Sequence, residues 1–164
     1  MHTLLRTAAL LLVLWSTAAQ RGHSQKASLA AATGPVFLPG SGSGPDWQGL
    51  LWFGIEQGDL GGRLEGMYTG VPGADLVALT GNLVWTLRRG EPTDFEPYLV
   101  AGLGAYVKFS EQRFGLNGGA GVRRRFGPVR LFAEARYHQV TSRFEEASQA
   151  DTFVPLLAGI MLGH

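Results

Sequence analysis

The chain predicts an all-β fold, an eight-stranded antiparallel up-and-down transmembrane β-barrel, on three observations. From Val77 to Leu162 it is a succession of segments in which every second residue is apolar. A period of two is the strand signature, because successive side chains of a pleated backbone point to opposite faces. The segments are also long. In Glu96 to Phe109 one alternate set reads Pro97, Leu99, Ala101, Leu103, Ala105, Val107 and Phe109, opposite Glu96, Tyr98, Val100, Gly102, Gly104, Tyr106 and Lys108. At about 3.3 Å per residue such a strand overshoots most compact domains but suits a tilted membrane crossing. Finally, beyond the N-terminal region no segment has the length and apolarity of a spanning helix, so a membrane crossing has to be made by strands.

Residues 1–19 predict a cleaved signal peptide. Arg6 supplies the positive start, Ala8 to Trp15 the apolar core, and Ala18 or Ala19 a small-residue cleavage position. The apolar run is well short of the roughly 18 residues that suggest a spanning helix. Residues 20–33 then predict a polar, alanine-rich linker, and 34–164 the barrel.

Eight strands are expected, at Gly34–Pro39, Gln48–Glu56, Arg63–Thr69, Leu76–Arg88, Glu96–Phe109, Phe114–Phe126, Val129–Val140 and Phe153–Leu162. The first is poorly formed, because Pro35 and Pro39 each remove a ladder donor. The breakers between them are GSGSGP, GDLGG, VPGAD, RGEPTD, SEQR and GP, clusters of residues with turn-forming backbone preferences. An even strand number returns both termini to the periplasm. On that basis GDLGG, RGEPTD and GP are periplasmic turns, while GSGSGPDW, VPGAD, SEQR and Thr141–Thr152 are extracellular loops.

Alternation alone does not say which face is inside, and a soluble calycin-like barrel also alternates. The apolar faces here mix large residues with Ala and Gly, which suits fluid lipid but leaves voids in a close-packed core. The polar faces carry Glu, Arg, Asn and Tyr among glycines, as the cramped interior of a narrow barrel requires. Aromatics of the apolar set fall toward strand ends, Tyr68, Phe109, Phe114 and Tyr137 at one rim and Trp85 and Phe126 at the other, as in interfacial girdles.

Composition agrees. Charged residues are 16% of the chain, against roughly 25% in soluble domains. The net charge of +1 gives no reason to expect a nucleic-acid partner. Without cysteine there is no disulfide framework or thiolate metal site, and no cofactor or metal is expected.

The ordered segments LTGNLVWTLR at 79–88, EPYLVAGLGAYV at 96–107, FGLNGGAGV at 114–122, VRLFAEARYH at 129–138 and FVPLLAGIML at 153–162 cover about half the chain. In that order and spacing they resemble the bacterial outer-membrane β-barrel domain family of small eight-stranded proteins. The resemblance implies an outer-membrane barrel, generally without enzymatic activity, that meets outer-membrane lipid and the barrel-insertion machinery. One departure concerns the C-terminal signal: such barrels commonly finish on an aromatic residue, and here Leu162, Gly163 and His164 follow instead.

The expected lumenal polar network comprises Arg63, Glu65, Asn82, Glu96, Lys108, Asn117, Arg123, Glu134, Arg136 and His138, with Arg125 and Arg130 also pointing inward. Such ion pairs satisfy buried charge in a filled interior, or line an ion-selective constriction. No catalytic residue is assigned. His138 and Ser142 invite comparison with outer-membrane lipid A deacylases, but their serine lies two residues after the histidine, where Val140 stands here. Glu134 is about 13 Å along the strand from His138, too far to orient it directly. Arg124 points outward and reaches headgroups by snorkelling. The expected function is that of a monomeric, non-enzymatic outer-membrane barrel acting structurally or through its extracellular loops. The alternatives are a narrow pore and a soluble periplasmic barrel holding an apolar ligand.

Overall fold

The computed structural model describes residues 25–39, 45–71, 74–87, 95–108, 111–140 and 152–163. They form a closed barrel of eight strands in sequence order: β1 Lys26–Phe37, β2 Asp46–Gln57, β3 Leu60–Val71, β4 Ala74–Thr86, β5 Phe95–Lys108, β6 Glu111–Phe126, β7 Val129–Val140 and β8 Thr152–Gly163. All neighbours are antiparallel, and β1 pairs with both β2 and β8. A strand of 12 residues is about 40 Å long and, tilted as barrel strands are, rises roughly 30 Å, the depth of a bilayer's hydrocarbon.

The first strand corrects one expectation. Residues 26–33, expected as linker, are strand, and β1 pairs with β2 along its length and with β8 across a gap. Its inward set is Ser28, Ala30, Gly34 and Val36, and its outward set Ala27, Leu29, Thr33 and Phe37. Small residues stand on both faces, so hydropathy hardly alternates and the strand is hard to see in sequence. The prolines do leave a mark. Pairing of β1 with β8 runs to Thr33↔Ala158 and resumes at Val36↔Pro155, skipping Gly34 and Pro35. Across β8 the β7 ladder similarly breaks between Ala135↔Leu156 and His138↔Phe153, around Pro155. Missing N–H donors open short gaps without opening the barrel.

Turn clusters are absorbed into longer strands. GDLGG shrinks to the two-residue turn Gly58–Asp59, since Leu60, Gly61 and Gly62 join β3. Gly58 has φ +64° and Gly127, in the second tight turn, +60°, conformations that cost a side chain energy. The Asp59 carbonyl accepts the Thr86 N–H at 2.8 Å, tying the first turn to the end of β4. β4 stops at Thr86 rather than Arg88, which lies outside the described residues together with all of RGEPTD. Residues 40–44, 72–73, 109–110 and 141–151 also lie outside them, and so do Phe109 and Ser142.

Charge and hydropathy are distributed inside out. Val77, Leu79, Leu83 and Trp85 of β4 are exposed, while Thr80, Asn82 and Thr86 on the other parity are buried. Leu99 and Leu103 of β5, Phe114 and Leu116 of β6, Leu131 and Tyr137 of β7, and Leu156 and Ile160 of β8 also face outward. Most of the exposed aromatics fall toward the strand ends, in two bands. Trp85, Phe95 and Phe126 lie toward the Gly58 and Gly127 turns; Trp47, Tyr68, Phe114 and Tyr137 lie toward the opposite end.

Candidate functional site in the lumen

The interior is filled by three tiers of side chains, each supplied by the inward parity of its strand. In the middle tier Arg63 and Glu65 come from β3, Thr80 and Asn82 from β4, Tyr98 from β5, and Glu134 and Arg136 from β7. Arg63 Nη2 donates to Glu134 Oε2 at 3.0 Å, and its Nη1 lies 3.6 Å from Glu65 Oε1. Arg136 donates from Nε to Glu134 at 2.6 Å and from Nη2 to Glu65 at 2.9 Å. Two guanidinium groups and two carboxylates thus form a closed ring of alternating charge, at most 7% exposed, whose formal charges cancel.

Neutral donors complete it. Tyr98 Oη donates to Glu134 at 2.9 Å and Thr80 Oγ1 to Glu65 at 3.2 Å, while Asn82 Nδ2 donates to Thr80 at 2.9 Å. Carboxylates so surrounded keep their lone pairs occupied, which is the condition for holding buried charge. The Arg63 guanidinium also sits 4.9 Å from the Trp52 ring and 5.2 Å from that of Tyr98. Trp52 meets Phe132 at 6.4 Å between ring centroids, so apolar rings fill the cross-section beside the ion ring.

The second tier occupies the mouth on the side of the two tight turns. Arg123 of β6 pairs with Glu56 of β2, donates from Nε to Glu96 at 2.7 Å and from Nη2 to Thr86 at 3.0 Å. Arg130 lies 3.9 Å from Glu56 and 3.9 Å from the Met161 sulfur. Glu96 is the most open member, with its side chain 44% exposed. Arg125 keeps the inward parity, in register with Arg130, but is exposed, one residue from the end of β6. Arg124 faces outward, stacked on the Phe95 and Phe126 rings.

In the third tier Tyr106 Oη and His138 Nδ1 lie 2.9 Å apart, and the His138 ring stacks on Phe153 at 4.5 Å with an interplanar angle of 9°. Asn117 is buried in register with Gly102 and His138, and Lys108 is buried at the end of β5 opposite Glu111. His138, 1% exposed, is committed to two aromatic neighbours, while Glu134 is held by the central ring.

Bulky lumenal side chains rest on glycines of the adjacent strand. A Cβ on Gly121 would stand 2.4 Å from the Tyr98 ring, and one on Gly115 would stand 2.8 Å from that of Tyr106. This is what the inward glycines of β6 supply: floor space for a side chain reaching across.

All ten network residues named from sequence lie on inward parity, but the structure divides them among the tiers. Sequence reasoning missed Glu56, although it shares parity with Gln48 and Gly54. It also missed Trp52, Phe132 and Phe153, whose aromatic character on the polar parity ran against the pattern.

No family model matches the chain, and no curated protein sequence matches it significantly. Solved structures do. Neisserial surface protein A (NspA) is similar with a TM-score of 0.67 at 18% identity over 87% of this chain and 99% of that one. The N-terminal β-barrel domain of Pseudomonas aeruginosa OprF has a TM-score of 0.56 at 15% identity, over 88% and 100% respectively. The outer-membrane enzyme PagL has 0.51 at 15%, over 82% and 98%. The likeness is one of fold: this chain has the fold of small eight-stranded outer-membrane β-barrels.

Proposed function

We propose that the chain is exported by a cleaved signal peptide into a bacterial outer membrane. There it acts as a monomeric, non-enzymatic barrel, structurally or through surface contacts made by its extracellular loops. The observation that carries this reading is the pairing of an apolar exterior with a charged, filled lumen. Lipid accepts the first at no cost, and a closed sheet pairs its backbone groups internally. The second packs the lumen with buried, paired side chains, which favours the walls and rims over the interior as the working surface. A soluble barrel for an apolar ligand needs the reverse distribution. One named neighbour is a surface protein and another an enzyme, so fold alone does not choose between roles.

The charged lumen supports one second reading, a narrow pore in which the central ring moves aside. The two separate in one experiment. Membrane fractions are extracted in detergent, checked for a compact band that shifts on boiling, and the folded protein is placed in a planar bilayer. The first reading expects the heat shift with no discrete conductance. Discrete steps whose ion selectivity changes in Glu134→Gln would establish the pore. Recovery in the soluble periplasm would end both.

A further inference from the structure

Three arginines share the inward parity of the β6–β7 hairpin, at the mouth beside its Gly127–Pro128 turn. Arg123 and Arg125 are two residues apart on β6, and Arg130 of β7 stands directly across the ladder from Arg125. Directly opposed residues of an antiparallel pair have their Cβ atoms about 4.5–5.5 Å apart, and like charges in that position destabilise the sheet. An anion between the two guanidinium groups relieves that repulsion.

The carboxylates of this mouth go to the third arginine. Arg123 pairs with Glu56 and donates to Glu96 at 2.7 Å. Arg130 is buried, yet its nearest carboxylate oxygen, on Glu56, is 3.9 Å away, beyond hydrogen-bond reach. Its other polar contact is the Met161 sulfur, a weak acceptor, at 3.9 Å. Among the described residues no carboxylate lies within ion-pair distance of Arg125. The charges acting on Arg130 are those of Arg123 and Arg125 against those of Glu56 and Glu96, so with Arg130 itself the cluster holds three cations and two anions. Lys26, on the inward parity at the start of β1 and in register with Glu56, adds a further cation.

We propose that Arg125 and Arg130 bind the phosphate group of a water-soluble ligand at this mouth. Two guanidinium forks meet one phosphate from two sides, each through parallel N–H···O bonds. A phosphoryl group carries about 1.5 to 2 negative charges, which matches the pair, whereas a carboxylate carries only one. Arg125 is exposed, so the ligand reaches it from water, while the burial of Arg130 strengthens the attraction by excluding solvent. Both residues stand on the lumenal parity, which separates them from lipid on the outer wall. The site needs only the folded barrel; its placement in the periplasm rests on the outer-membrane reading above.

The test is calorimetric titration of inorganic phosphate into the folded full barrel, in uncharged detergent at fixed ionic strength. The expected result is saturable binding of one phosphate per barrel, weakened about tenfold in Arg125→Gln and in Arg130→Gln, the loss of one charge-assisted contact. Arg125→Gln keeps the heat-shifted band, because it removes an exposed side chain and a like charge. Acetate at matched concentration does not compete, and phosphatidylglycerol in the micelles does not displace the phosphate. Absence of saturable binding by the parent would overturn the site, and so would unchanged affinity in either variant that keeps the band. Equal competition by acetate would overturn the phosphate assignment, and displacement by the lipid would overturn the placement on the water side. Absence of the heat shift in the parent protein would instead overturn the barrel reading itself, a result distinct from a folded barrel that binds no phosphate.

Discussion

Glu134 is the residue on which the lumen turns, because its carboxylate is shared by Arg63, Tyr98 and Arg136. Glu134→Leu leaves two guanidinium groups with one carboxylate between them. Stranding buried charge costs about 3–5 kcal/mol, so the urea midpoint of the folded, heat-shifted band should fall sharply. Gly121→Val should also destabilise, by about 1–3 kcal/mol through overpacking, because a Cβ at that position would stand only 2.4 Å from the Tyr98 ring. Gly66→Ala is the control: a Cβ there meets nothing within 4 Å. The same denaturation series should place it within about 0.5 kcal/mol of the parent. Gly66 shares parity with Leu64 and Tyr68, and Gly121 with Asn117 and Arg123, so alternation assigns their faces; only the structure places the Tyr98 ring over Gly121.

Among the elements, β1 has the greatest leverage. Its pairing with β8 closes the sheet, and an unpaired edge in lipid would leave backbone donors and acceptors without partners. Deleting residues 26–33 should abolish the heat-shifted band, whereas a linker could be shortened without that loss. The outcome is read by gel migration with and without boiling. This strand was the least legible part of the fold. Its Ala-Ala-Ala-Thr-Gly run carries no contrast between faces, and two strands must claim it before it reads as β. β7 stands at the other extreme. Arg130, Phe132, Glu134, Arg136 and His138 alternate with Leu131, Ala133, Ala135 and Tyr137, and its observed bounds coincide with those read from sequence.

For the whole molecule the decisive property is the inside-out distribution. Leu103 is 65% exposed near the middle of β5. In water, arginine at such a position is nearly neutral; at a bilayer midplane it costs about 2–4 kcal/mol. Leu103→Arg should therefore lower the free energy of folding into lipid vesicles by that amount. An unchanged value would contradict a lipid-facing wall. Period-two alternation is local, so the sequence by itself determined where seven of the strands run and which parity carries charge. The partners of that charge were decided only by closure. Arg63 and Glu134 are 71 residues apart in the chain, and so are Glu65 and Arg136. They meet because the barrel brings β3 and β7 to opposite walls of a lumen narrow enough for side chains to span, and no local pattern encodes a distance across a closed sheet.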